Sequence, residues 1–139
     1  MPQDRESGAA GNRYGREMAA IIADLLGTRL SGRVSNEAVF EGRAVVIKCA
    51  APKTDQVGVP TGMLARLDAI LGVFEQEDGS VVIWELPVGN YRARMEESRS
   101  ASHAPGSLMK VRNKVFRSEG VLLKCFSRAE VSAARKRLS

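Results

Sequence analysis

The stretch EAVFEGRAVVIKCA, from Glu37 to Ala50, decides the fold. Two apolar runs, Ala38-Val39-Phe40 and Ala44-Val45-Val46-Ile47, flank the pair Glu41-Gly42. Such a pair between apolar runs predicts a tight hairpin, because glycine readily adopts the left-handed backbone that a two-residue turn needs. With a two-residue loop, Phe40 pairs with Arg43, Val39 with Ala44, Ala38 with Val45 and Glu37 with Val46. Side chains alternate between the faces of a strand, so Glu37, Val46 and Lys48 share one face. Lys48 follows three apolar residues, which holds its ammonium close to the sheet. A carboxylate and a lysine on adjacent strands are suited to holding a metal ion and a hydrolytic water beside a phosphodiester. The plainer alternative is a cross-strand charge pair.

Upstream, residues 1–14 contain glycines and charges without a period, and the expectation is a disordered arm. From Arg16 a helical spacing begins: Met18, Ile21, Ile22, Leu25 and Leu26 form one stripe, and Gly27 offers a stop. Arg16, Ala20 and Asp24 fall on the opposite face, so Arg16 to Leu26 reads as a helix with one buried side.

Downstream of the hairpin, residues 51–60 hold two prolines and several polar residues and read as a loop, and Thr61 to Leu67 as a short helix. Ala69 to Gln76 and Ser80 to Pro87 form a second hairpin around Glu77-Asp78-Gly79. The first of these runs is nearly all apolar, which places it in the middle of the sheet. Asn90 to Glu97 reads as a helix carrying Arg92 and Arg94, and residues 98–107 as a flexible Ser/Ala/Pro/Gly loop. Lys110 to Phe116 and Val121 to Phe126 read as strands joined at Ser118-Glu119-Gly120. Ser127 with Glu130 matches a capping box, which predicts a closing helix from Arg128 to Leu138.

A chain of 139 residues with 44% apolar content fits one domain with one core, taken as residues 15–139. There is no run of 18 apolar residues to span a membrane, and no hydrophobic export signal near Met1, so the expectation is a cytoplasmic protein. Cys49 and Cys125 each sit in an apolar run and read as buried free thiols, since no C-x-x-C pair is present. Charge is unevenly placed. Up to Val88 there are nine Lys/Arg against twelve Asp/Glu, and from Gly89 onward twelve against four. A basic final third suits a polyanion such as DNA or RNA, with Arg92, Arg94, Lys110 and Arg112 as the expected phosphate contacts. The same charge also reads as a solvated surface.

The order of elements resembles the PD-(D/E)xK, or restriction-endonuclease-like, nuclease superfamily. The resemblance covers Gly15 to Tyr91. It rests on Gly15-Arg16-Glu17 in a helix, Asn36-Glu37 in a strand, Val45-Val46-Ile47-Lys48-Cys49-Ala50, and the strands around Glu77-Asp78-Gly79 up to Val82-Ile83-Trp84-Glu85-Leu86-Pro87. It implies an α/β fold with a central mixed sheet built from hairpins and flanked by helices. It also implies Mg2+-dependent phosphodiester hydrolysis, with Glu37 and Glu17 as catalytic metal ligands and Lys48 positioning the water. The departure is Val46, which stands where the family has Asp or Glu; Asp55, Asp68 and Glu75 are the nearby acids that would have to substitute. A catalytically inactive nucleic-acid-binding or protein-interaction module of the same fold is therefore the alternative.

Other residues carry less. His103 lies in the Ser/Ala/Pro loop without a second ligand, and reads as a surface residue. Trp84 reads as core or sheet face, and Tyr14 and Tyr91 are isolated, so no aromatic platform for single strands is evident. Neither a phosphate-binding glycine loop nor a serine-nucleophile motif is present. An exposed edge strand offers a route to a homodimer, and the sequence leaves the oligomeric state open.

Overall fold

The turn at Glu41-Gly42 organises the structure, a computed structural model that describes residues 5–32, 35–97 and 108–139. Both turn residues have positive φ, 52° at Glu41 and 75° at Gly42. Strands β1 (Glu37–Phe40) and β2 (Arg43–Ala50) therefore pair antiparallel in the expected register, Glu37 opposite Val46 and Phe40 opposite Arg43. The second hairpin forms as well: β4 (Ala69–Glu75) pairs antiparallel with β5 (Val81–Pro87). β4 also runs parallel to β2, from Val45 opposite Ala69 to Ala50 opposite Phe74. With β8 (Val121–Phe126) added antiparallel to β5, the sheet is mixed and five-stranded, in the order β1-β2-β4-β5-β8. The nearly all-apolar β4 is its middle strand, buried on both faces from Ala69 to Phe74.

Alternation along these strands gives the sheet two apolar faces and so two cores. Val45, Ile47, Leu71, Val73 and Ile83 face helix α1 (Arg5–Leu25) and the closing helix α5 (Arg128–Leu138). Met18, Ile21 and Ile22 of the expected stripe are buried, joined by Ala19 and Ala23, while Leu25 and Leu26 are only partly buried against the same core. On the opposite face, Val46, Ile70, Phe74 and Leu86 pack under a second layer. That layer is a three-stranded antiparallel sheet, β3 (Gln56–Pro60), β7 (Leu108–Arg112) and β6 (Glu96–Glu97), in the order β3-β7-β6. Short helices α2 (Thr61–Leu64), α3 (Val88–Arg94) and α4 (Asn113–Glu119) complete it. Tyr91 and Phe116, both fully buried, bind the layer together: the Tyr91 hydroxyl bridges the carbonyl oxygens of Val57 and Met109, and its ring packs edge-on to Phe116. Tyr91 is thus a core residue rather than an isolated aromatic.

Several expectations are corrected. α1 begins at Arg5, so residues 5–14 continue the helix instead of forming an arm; residues 1–4 lie outside the described residues. The Tyr14 hydroxyl donates to Glu75 Oε1 at 2.8 Å, a tertiary contact that ties this part of α1 to the end of β4. The loop expected at 51–60 ends in strand β3, whose Val57 and Val59 point into the second core while Gly58 lies between them. The strand expected over 110–116 stops at Arg112 and turns into α4, because Phe116 has to enter the core against Phe74, 5.4 Å between ring centroids. Helix α3 starts at Val88 and ends at Arg94, and Glu96–Glu97 pairs with β7. Cys125 is exposed, not buried, because β8 lies at the sheet edge. Asp24 and Arg16, expected on the solvent face of α1, are both engaged: Asp24 pairs with Arg137 of α5 at 2.7 Å, and Arg16 binds the chain ahead of β1. The expected loop at 98–107, with His103, lies outside the described residues. No helix among the described residues is long and apolar enough to cross a membrane. The capping box is present, with Glu130 N–H donating to Ser127 Oγ and Ser127 N–H to Glu130 Oε1.

Candidate functional site

Register places Glu37, Val46 and Lys48 on the face covered by the small sheet, as alternation requires. Glu37 is nonetheless committed elsewhere. Both of its carboxylate oxygens accept hydrogen bonds from Arg66, at 2.7 Å from Nε and 2.9 Å from Nη2. This fork holds the Glu37 carboxyl below its ordinary pKa, against the opposing effect of burial. Lys48 points into the same layer but has no hydrogen bond or ion pair among the described residues, and burial lowers its pKa. Val46 is wholly buried in the second core, so a carboxylate in its place would sit in a dry apolar environment.

Glu17 does not join them. α1 packs on the other face of the sheet, and the exposed Glu17 lines a groove with Arg135, Leu138 and Ser139 at the end of α5. The angle between Glu17 and the apolar stripe is set within α1, but the face of the sheet that α1 covers is not. The other acids near the lysine strand have their own partners or positions. Asp68 accepts from the Ala44 N–H at 2.8 Å, Glu75 accepts from Tyr14, and Asp55 is exposed in the loop before β3. Among the described residues no three His, Cys, Asp or Glu side chains gather in a way that would hold a metal ion. The residues that the resemblance assigns to Mg2+ therefore do not fit it: one is neutralised by an arginine, one lies across the sheet, and the third position is valine.

The basic residues give a clearer arrangement. Arg94, at the end of α3, Arg112, at the end of β7, and Lys114, in the first turn of α4, line one open cleft of about 630 Å³. Glu96, Val115, Ser118 and Glu119 form the rest of its wall. Glu119 orients Arg94, accepting from its Nε at 2.6 Å, and also accepts from Asn90 at 3.2 Å. Arg112 and Lys114 have no ion pair among the described residues, so their charge faces the cleft without a contacting acid. Lys110 stands two residues from Arg112, on the same outward face of β7, across from Gly58 and Glu96. A side chain at Gly58 would lie against the Lys110 stem, 3.7 Å from its Cγ.

No protein-family model and no curated protein matches this chain. The geometry alone therefore sorts the sequence candidates. Arg94 and Arg112 share the cleft and Lys110 lies beside it, whereas Arg92 is exposed on α3 and is not part of its lining. Sequence reading misses Lys114, because the segment around it has the pattern of a strand. It also misses Arg66, which carries no local pattern and acts only through the fold. Tyr91, the tie between α3 and the small sheet, gives a single signal, an aromatic in a short amphipathic run.

Proposed function

We propose that this chain is a non-catalytic nucleic-acid-binding module built on a restriction-endonuclease-like sheet. The order of its elements supports the architecture: a helix, a hairpin, a parallel crossover and a second hairpin form a mixed sheet with helices against it. The observation that carries the function is the convergence of Arg94, Arg112 and Lys114 on one open cleft, with Lys110 alongside. Side chains from three elements meet there, and phosphates spaced along a backbone suit such a row of separated cations. No hydrolytic step is assigned, because Glu17, Glu37 and Lys48 do not share a site.

Fluorescence anisotropy with labelled single-stranded and duplex DNA and RNA tests the proposal. Affinity is expected to fall steeply between about 50 and about 200 mM salt. Changing Arg94, Arg112 and Lys114 together to Ala should weaken binding at least tenfold and lower the salt slope by about 2–3, near one unit for each phosphate that is no longer neutralised. A control variant removing Arg128, Arg135 and Lys136 from α5 keeps the net charge change equal. Equal losses in both variants, or no loss in the first, would overturn the proposal.

A further inference from the structure

Lys48 opens on a second cleft, separate from the basic one, of about 210 Å³ beside the start of β1. Gly15 of α1, Asn36, and Gln56 and Gly58 of β3 are among its walls. No carboxylate among the described residues lines it. Glu37, next to Asn36, has both oxygens filled by Arg66, and Asp55, next to Gln56, is exposed and outside the lining. Lys48 is half-buried, its stem lies against the second layer, and its ammonium has no partner among the described residues. An ammonium held partly out of water gains from any anion that can reach it.

The remaining polar groups point to the same ligand chemistry. Arg16 donates to the carbonyl oxygens of Ser35 and Gly32, both at 2.6 Å, and to Asn36 Oδ1 at 3.3 Å. That last contact uses the amide oxygen of Asn36, while its NH2, a donor, has no partner among the described residues. Gln56, also in the lining, carries a second amide at the register position opposite Arg112. Arg16 has only neutral partners among the described residues, so its charge adds to the positive potential behind Asn36. One cation, two amide side chains and no acid in the lining, with Arg16 behind Asn36, make a surrounding that rejects a metal ion and favours an oxyanion.

We infer that this cleft is a binding site for a small oxyanion, a phosphate or carboxylate group, with Lys48 as its charged anchor and Asn36 and Gln56 as hydrogen-bond donors. It inverts the chemistry that the resemblance implies for Lys48, since the lysine meets the anion directly with no cation between them. The inference does not rest on the nucleic-acid reading, and the two clefts share no lining residue.

The experiment titrates the full chain with inorganic phosphate and, separately, with acetate, at constant ionic strength balanced by chloride, followed by amide NMR shifts. Saturable shifts are expected at residues 36, 48 and 56–58 with at least one of the two, and the anion that saturates at lower concentration identifies the group. Lys48→Met should weaken binding at least tenfold while leaving the thermal midpoint within a few degrees, because its stem is already packed. Lys48→Arg should retain binding, and Asn36→Asp should lose it by placing a carboxylate in the wall. The triple variant of the basic cleft should bind as the parent does. An absence of saturable shifts with both anions, shifts confined to the Arg94 and Arg112 cleft, or parental binding by Lys48→Met would each overturn the inference.

Discussion

Gly72 is the position at which the packing of the second layer is most directly testable. It lies in the middle strand, and a Cβ there would stand 2.8 Å from Cδ1 and Cε1 of Phe116 and 2.8 Å from Cζ of Phe74. Neither ring has room to retreat. Phe116 is fully buried with Tyr91 packed edge-on to it, and Phe74 is 7% exposed and in edge contact with Phe116. The backbone is held too, since β4 is bonded to β2 on one side and β5 on the other. Overpacking of this kind costs about 1–3 kcal/mol, and the reduced freedom of the unfolded chain returns about 0.4–1 kcal/mol, so Gly72→Ala should destabilise by about 1–2 kcal/mol. With an unfolding entropy of about 2.1 cal/mol/K per residue, a chain of 139 residues should lose about 3–7 °C in Tm. Differential scanning calorimetry measures the shift directly. Removing part of the obstructing ring in the double variant Gly72→Ala/Phe116→Leu should give a loss smaller than the sum of the two single losses. An unchanged or raised Tm for Gly72→Ala, or strict additivity in the double variant, would refute this account of how α4 sits on the sheet.

Two further predictions concern the ionisable groups. The Glu37 carboxyl is held below its ordinary value of 4.5, first by the hydrogen bonds from Arg66, so its stabilising effect is complete above about pH 4.5 and is lost as pH falls through the lower folded value. Arg66→Ala should therefore be less stable than the parent at neutral pH, and the difference should shrink steadily in urea titrations taken below pH 4.5; a difference independent of pH would separate Arg66 from Glu37. Burial pushes the Cys49 thiol up to about 12, whereas Cys125 is exposed. A thiol reagent at about pH 8 should modify Cys125 quickly and the partly buried Cys49 much more slowly, and peptide mapping that found both modified at equal rates would contradict the placement of Cys49 against the α1 core.

What could be read from the sequence alone was what short-range physics decides. The Glu41-Gly42 turn sets the register of β1 and β2 through backbone conformation confined to two residues. The Ser127–Glu130 capping box spans one turn, and the apolar run of β4 marks the strand with neighbours on both sides. The shared face of Glu37, Val46 and Lys48 follows from alternation and needs no tertiary information. Alternation does not say which face a helix covers. Only the tertiary structure put α1 against Val45 and Ile47, which separates Glu17 from the lysine and dissolves the expected metal site. The same holds for Arg66, whose carboxylate partner lies 29 residues away, and for α4, where the need to bury Phe116 against Phe74 and Tyr91 overrides a strand-like local pattern. The small sheet joins segments distant in the chain, and the cleft formed by Arg94, Arg112 and Lys114 arises where the β6–β7 pairing and the Arg94–Glu119 ion pair bring the end of α3 beside the junction of β7 and α4. A local pattern chooses each element and its register, while the choice of face and neighbour depends on which apolar surfaces across the whole chain can be buried together.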